Sequence, residues 1–187
     1  MIDVRSLTGD LLVAMPGLRD PNFEHTVTLV CQHNEDGALG LVINRPSDYR
    51  LGELLRHLDL SSDDDGLTGQ PVLNGGPLQR ERGFVLHPPD GHWASTHTID
   101  AGLSLTTSRD ILEAIGQGQG SKNILVALGY AGWGKGQLER EIVENSWLNA
   151  PASQSILFKQ PAADRWKAAA ELMGVDISLL TAQAGHG

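Results

Sequence analysis

Short apolar runs, separated by clusters of proline and glycine, fill the first half of the chain and indicate a strand-rich fold. Residues 10–15, 26–32 and 38–44 are rich in Val, Leu and Ile, as is typical of β-strands. Asp36 and Gly37, between the second and third runs, favour a tight turn. The pattern therefore predicts that these two runs form an antiparallel hairpin.

Helical patterns appear between and after these strands. Four leucines between 51 and 58 recur at the spacing of one buried helical face, and Ser47 or Asp48 is available as a cap. Thr107 and Asp110 have the spacing of a capping box for a helix at 107–118. The remaining predictions are strands at 71–76, 82–88, 95–107, 123–129 and 153–158, a helix at 137–145, and a helix at 162–173 that buries Trp166, Ala170 and Met173.

The order of these elements indicates the fold class. Strands follow one another early and alternate with helices only later, which favours an α+β domain with mostly antiparallel pairing over a doubly wound parallel sheet. A chain of 187 residues with 40% hydrophobic content is the size of one ordinary domain. We therefore predict a single domain over residues 1–187.

Charge and hydropathy restrict the classes of partner. Fourteen Lys and Arg stand against twenty-three Asp and Glu, and the formal net charge of −9 argues against direct binding to nucleic acid. The chain has no signal-peptide-like start and no apolar run long enough to span a membrane. With Cys31 as its single cysteine, we expect a cytoplasmic protein without a membrane partner.

A glycine-rich stretch resembles a phosphate-binding loop. Gly129, Gly134, Lys135 and Gly136 spell G-x-x-x-x-G-K-G, in which the last glycine replaces the hydroxyl residue that would bind magnesium. The bulky Trp133 also opposes close wrapping of the backbone around a phosphate. We interpret the stretch as a glycine turn at a helix start that can still offer amides to an anion.

Histidine and cysteine positions suggest limited chemistry. The seven histidines show no familiar metal-ligand spacing, so no metal and no cofactor are predicted. Cys31 lies near the end of an apolar strand, where a buried inert thiol is the usual outcome. His33, two residues away on the predicted strand, is placed to lower the pKa of this thiol, which makes Cys31 a candidate redox site.

Several motifs, in the same order along the chain, resemble the AlgH/YqgE family of bacterial proteins. They include "LLVAMPGLRDPNFEHTVTLVCQHNEDGALGLVINRP", "LNGGPLQRERGFVLH", "VALGYAGWGKGQLEREIVENSWL" and the final "AGHG". The resemblance implies an α+β fold with a small closed β-barrel and a bifurcated sheet surrounded by helices. It also implies a regulator of transcription, and it supplies no catalytic residues and no cofactor.

The first functional hypothesis is a non-catalytic binding or regulatory protein that acts through an unknown protein partner or a small anionic ligand. The candidate binding residues lie at strand-end turns and are Asn44, Arg45, Asn74, Gly75, Gly76, Gly129, Tyr130, Gly132, Trp133 and Gln137. One alternative is an enzyme that binds an anionic small molecule with the amides of 132–137 and the Arg45 guanidinium. The other is a thiol redox sensor at Cys31.

Overall fold

The computed structural model describes residues 6–176, so the terminal "AGHG" signature lies outside the described residues. Ten strands form a mostly antiparallel sheet, with short helices packed on it. The strands are β1 (Asp10–Ala14), β2 (Val27–Asn34), β3 (Gly37–Val42), β4 (Pro46–Arg50), β5 (Pro71–Asn74), β6 (Leu78–His87), β7 (Thr96–Asp100), β8 (Leu103–Thr106), β9 (Leu125–Trp133) and β10 (Trp147–Pro151). The helices are α1 (Leu51–His57), α2 (Asp65–Thr68), α3 (Arg109–Gly116), α4 (Gln137–Val143) and α5 (Arg165–Leu172).

Strand β9 is the point at which the sheet branches. Along one edge it pairs in parallel with β5, at Leu73 and Ala127, and then antiparallel with β3, at Leu39 and Gly132. Its other edge pairs with β6. One branch therefore continues through β5 to β4, and the other continues through β3, β2 and β1 to β10.

The main sheet is curled and open. Its strand order is β10-β1-β2-β3-β9-β6-β8-β7, and within residues 6–176 no pairing joins the two terminal strands. The molecule is a mixed α/β single domain built on a half-barrel, so the closed barrel that the family resemblance implies is not confirmed. The hairpin predicted at 36–37 is confirmed, because Asn34 pairs with Gly37 at the end of β2 and β3.

Apolar side chains pack in three clusters around the sheet. The first contains Leu29, Leu41 and Phe84 and is covered by α5, which contributes Ala169 and Ala170. The second lies beneath α4 around two tryptophans, and the third packs α1 and α3 against β5, β6 and β9. Each fully buried aliphatic side chain contributes about 1.5–3 kcal/mol, so these clusters hold the loops that carry the candidate site in place.

Two predicted helix caps are wrong. The N-cap of α1 is Arg50, which makes no side-chain cap, because the preceding residues form β4 and the Ser47 hydroxyl donates to the Val72 carbonyl oxygen. The N-cap of α3 is Ser108, whose hydroxyl donates to the Asp110 carboxylate at 2.5 Å instead of capping the helix. This hydrogen bond lowers the pKa of Asp110 below its usual value.

The last part of the described chain also differs from the prediction. Residues Ser155–Lys159 form a π-helical turn, where a strand was predicted, and Ala162–Asp164 form a 3₁₀ turn before α5. Strand β10 was not predicted. The buried face of α5 contains Arg165, Ala169 and Ala170, and Trp166 is only half-buried. Among residues 6–176, no helix has both the length and the apolar character needed to cross a bilayer.

Candidate functional site

The Asn-Gly-Gly stretch lies where the sheet branches. The Gly75 amide donates to the Leu128 carbonyl at 2.8 Å, and the Gly75 carbonyl accepts from the Val42 amide at 2.9 Å. A Cβ atom on Gly75 would lie 2.4 Å from the carbonyl oxygen of Gly129, and one on Gly76 would lie 2.1 Å from the carbonyl carbon of Tyr130. Glycine is therefore required here because two backbones pass in direct contact.

A small notch opens beside this crossing. It has a volume of about 30 Å³, enough for one or two water molecules or for the head group of a ligand that extends into solvent. Two arginines and two asparagines line it together with apolar residues and a glycine, and no acidic residue does. The lining residues are Asn22, Val42, Arg45, Asn74, Gly76, Pro77 and Arg80.

Arg45 is held in place by the loop between β1 and β2. Its Nη1 donates to the Asn22 carbonyl oxygen and its Nη2 to the Glu24 carbonyl oxygen, both at 2.8 Å. Asn44 fixes the same loop, because its Oδ1 accepts from the Val27 amide and its Nδ2 donates to the His25 carbonyl oxygen, both at 2.9 Å. Two of the five N–H bonds of Arg45 are used, so the group is pre-oriented and still able to bind an anion.

Arg80 reaches the notch from an irregular part of β6. Leu78 pairs with Tyr130 and Gly83 with Leu128, so the intervening residues of β6 bulge away from β9. Gln79 within this bulge has a φ of +42°, a conformation uncommon for residues with a side chain. Such bulges redirect side chains, and this one places Arg80 on the notch. Among residues 6–176, Arg80 has no ion-pair partner.

Trp133 and Gln137 belong to a separate aromatic cluster beneath α4. The indole nitrogens of Trp133 and Trp147 donate to one oxygen of Glu141, at 2.7 and 3.2 Å. Gln137 donates to the other Glu141 oxygen at 3.3 Å and accepts from the Gly134 amide at 2.9 Å. These side chains are occupied with internal contacts. The Gly134 amide, which the enzyme hypothesis assigned to an anion, donates instead to the Gln137 side chain.

The first five residues of the sequence that resembles a phosphate-binding loop lie in a strand. Gly129–Trp133 is the second half of β9, and its residues pair with β3 and with Leu78 of β6. Tyr130 packs edge-on against Phe84 at 5.9 Å between ring centroids, and Gly132 gives room to Leu78. A glycine turn does begin α4, where Gly136 has a φ of +70°.

The structure thus divides the predicted residues into groups. Arg45, Asn74 and Gly76 line the notch, and Asn44, Gly75 and Gly129 support the chain around it. The Tyr130 backbone lies against Gly76 of the notch, whereas Gly132, Trp133 and Gln137 lie farther along β9 and on α4. Sequence reasoning missed Asn22 and Arg80, although both lie in stretches that carried the family resemblance.

The proposed thiolate at Cys31 is corrected by the structure. The register of β2 against β3 shifts between Val30 and Gln32, so Cys31 is the extra residue of a bulge and the alternation of faces is interrupted. His33 accepts from the Leu7 amide at 2.9 Å and bonds to Glu139, whereas Cys31 packs in the first apolar cluster. Burial raises the pKa of the Cys31 thiol to about 12, opposite to the predicted direction.

A groove of about 380 Å³ lies beside Cys31, between strands β2 and β3 on one side and strands β6, β7 and β8 on the other. Its lining is mixed polar and apolar, and the Arg82 guanidinium stands over the Phe84 ring, 5.4 Å from the ring centroid. The other lining residues include Leu39, Ser95, Thr96, His97, Leu105 and Thr107. Within the part of the chain that the structure describes, no three His, Cys, Asp or Glu side chains are grouped so as to hold a metal ion.

Comparisons with known proteins agree over almost the whole chain. The AlgH-like family profile matches residues 11–178. A UPF0301 protein of Methylococcus capsulatus is 59% identical over 181 residues, which cover 97% of this chain and 96% of the relative. A UPF0301 protein of Thioalkalivibrio sulfidiphilus is 54% identical, with 97% of each chain covered.

Solved structures show the same architecture. The solution structure of the AlgH protein from Pseudomonas aeruginosa is similar with a TM-score of 0.78 and 47% identity, and covers 100% of this chain and 99% of its own. A crystal structure from Corynebacterium diphtheriae, at 20% identity, has a TM-score of 0.75 over 97% of this chain and 94% of its own and shares the fold. The family profile, the sequence relatives and the Pseudomonas structure together show that the chain belongs to the AlgH-like family.

Proposed function

We propose that this protein is a non-catalytic binding protein that takes the anionic group of a small ligand into the notch between Arg45 and Arg80. The observation that carries the proposal is the lining of the notch, which includes two arginines and two asparagines and no acidic residue. Guanidinium groups bind carboxylates and phosphates through paired, charge-assisted hydrogen bonds. A chain of net charge −9 that gathers two arginines at one small cavity favours an anion there.

The chemistry of the lining supports binding without catalysis. Arginine stays protonated at neutral pH, and the side chains of asparagine, valine, proline and glycine cannot act as acids or bases in catalysis. None of the side chains that line the notch is a nucleophile or a general base. The notch therefore has the donors needed to hold an anion and lacks the groups needed to transform it.

The regulatory part of the proposal follows from the same charges. A chain with an excess of nine acidic groups repels a phosphate backbone. The two cations at the notch lie on β6 and just before β4, and they are not spread along a helix that could read a groove of DNA. An effect on transcription would then pass through the bound ligand or through a protein partner. We place this activity in the cytoplasm as part of the same proposal.

Thermal unfolding in the presence of anions tests the notch. Acetate, citrate and inorganic phosphate are titrated into the wild type, Arg80→Gln and Arg82→Gln. A bound anion at 100 times its dissociation constant stabilises the wild type by about 2.7 kcal/mol. Arg80→Gln loses this stabilisation because the substitution removes one guanidinium, while Arg82→Gln, changed in the same bulge but lining the groove, retains it.

The comparison of the two variants decides the result. Arg80 makes no ion pair with residues 6–176, so Arg80→Gln is expected to fold as the wild type does. Equal stabilisation of the wild type and Arg80→Gln would place the anion outside the notch. The absence of any stabilisation by millimolar anions would contradict the proposal.

A further inference from the structure

A second cavity lies between the turn that enters β5, the start of β9 and the segment that leads into α5. Its volume is about 440 Å³, well above that of the notch and within the range of small-molecule sites. The cavity is separate from the notch, since no residue lines both. Three basic side chains, Lys122, Lys159 and Arg165, lie on its wall, and no acidic residue does.

Arg165 is the distinctive residue of this cavity. Its side chain is buried, with 6% of the residue exposed, and no carboxylate among residues 6–176 forms an ion pair with it. Its Nε donates to the carbonyl oxygens of Ile156 and Gln160, each at 3.1 Å, and its Nη1 donates to the carbonyl oxygen of Ile43. Burial lowers the pKa of Arg165 to about 10, so the group is still charged at neutral pH.

Burying a cation without a nearby anion costs free energy, so a buried arginine of this kind indicates a place where an anion would be stabilising. Three carbonyl oxygens orient the guanidinium, and no carboxylate of residues 6–176 neutralises its positive charge. The second hydrogen on Nη1 and both hydrogens on Nη2 have no hydrogen-bond partner within residues 6–176. Because Arg165 lines the cavity, an anion there could accept these donors and neutralise the charge.

Lys122 and Lys159 add two further positive charges to the cavity wall. Both are exposed, and within the described residues neither forms an ion pair. A flexible ammonium group can adjust to an anion that a fixed guanidinium has oriented. The three basic residues therefore concentrate positive charge at one cavity of a chain whose net charge is −9, which favours a multiply charged anion there.

The rest of the wall is largely apolar. Leu73, Ile124, Phe158, Pro161 and Ala162 contribute to it, and the Phe158 side chain is half-buried. An inorganic anion alone would leave this surface in contact with water. The combination suits a ligand with an anionic head and an apolar or planar body.

We propose that the cavity formed by Lys122, Lys159 and Arg165 binds a phosphorylated small molecule, with the phosphate against the three cations and the organic part against Phe158 and Pro161. The proposal is independent of the notch, because the notch contains no lysine and shares no residue with this cavity.

Pyridoxal 5′-phosphate serves as the probe, because it combines a phosphate, a planar ring and an aldehyde that reacts with lysine. The lysine nitrogen attacks the aldehyde carbon, water leaves and an imine forms. Borohydride then adds a hydride to that carbon while the nitrogen takes a proton, which leaves a stable secondary amine. The chain has four lysines, Lys122, Lys135, Lys159 and Lys167, so mass spectrometry can score each one.

The expected result is labelling of Lys122 or Lys159 roughly tenfold above Lys135 and Lys167, the preference that about one charge-assisted contact provides. Pyridoxal, which lacks the phosphate, should show no such preference, and inorganic pyrophosphate should abolish it. Arg165→Gln should reduce it, and if that variant fails to fold, the wild-type comparison with pyridoxal still decides.

Three outcomes would overturn the proposal. The first is equal labelling of all four lysines by pyridoxal 5′-phosphate, and the second is the same preference with pyridoxal. The third is preferential, pyrophosphate-sensitive labelling of Lys135, which would move the phosphate site to the glycine turn before α4. None of these outcomes bears on the notch.

Discussion

Substitution of Gly75 tests the claim that the branch of the sheet depends on direct contact between two backbones. Its φ is not in the left-handed region, so alanine there tests the contact without added backbone strain. The new Cβ would lie 2.4 Å from the Gly129 carbonyl oxygen, and the two segments would have to separate by about 1 Å to reach an ordinary contact of 3.4 Å. The atom in its way is backbone, so no side chain can rotate to make room.

The separation would break both hydrogen bonds of Gly75. These join its amide to Leu128 and its carbonyl to Val42, and Gly75 itself is buried. A buried backbone group left without a partner costs about 1–3 kcal/mol, so Gly75→Ala should lower the free energy of unfolding by roughly 4 kcal/mol. For a chain of this size that corresponds to a decrease in Tm of roughly 8–16 °C.

Gly83→Ala is the matched control. Gly83 pairs with the same residue, Leu128, from the other edge of β9, and its added Cβ would meet only the Leu128 side chain at 3.9 Å. Urea and thermal unfolding, followed by circular dichroism, should show Gly83→Ala close to the wild type. If Gly75→Ala were within about 1 kcal/mol of Gly83→Ala, the contact at the branch would not have the importance assigned to it.

Two further predictions concern the aromatic cluster beneath α4 and Cys31. Glu141→Ala should lower the free energy of unfolding in urea by roughly 2 kcal/mol, because the buried indoles of Trp133 and Trp147 lose their hydrogen-bond acceptor. Glu144→Ala, at an exposed position just after α4, should leave stability unchanged, and equal effects of the two substitutions would contradict the role of the Glu141 carboxylate. Cys31 in the folded protein should react with maleimide at pH 8 far more slowly than in urea, since a pKa of about 12 leaves roughly one thiol in ten thousand ionised; equal rates would restore the redox hypothesis.

The elements predicted well from the sequence are those whose pattern is local. The runs that became β1, β2 and β3 are bounded by turn residues, and the hairpin between β2 and β3 needs only a short-range signal. Strand β10 pairs with β1, as Asp10 does with Pro151, and no local pattern reports a partner so distant in sequence. The apolar run at 156–158 is short and unbroken, and such runs do not distinguish a strand from a helical turn.

The candidate sites show the same division. Arg45 and Asn74 were predicted because they stand beside turn residues at strand ends. Arg80 was not, since its position depends on a bulge that arises from pairing between β6 and β9. Arg165 was missed because arginine on a helix is normally exposed, and the pattern of α5 favoured Trp166 as the buried residue. The burial of Arg165 and its place at a cavity depend on segments that are far apart in sequence, so no local pattern predicts them.

The branching of the sheet at β9 also bears on how the chain can fold during synthesis. Before residues 125–133 are available, β3, β5 and β6 each present an edge that lacks its final partner, although their other neighbours, β2, β4 and β8, have already been synthesised. Unpaired edges are templates for pairing with other chains. A nascent chain that pauses before β9 therefore holds three such edges at once, and insertion of this one strand covers all of them.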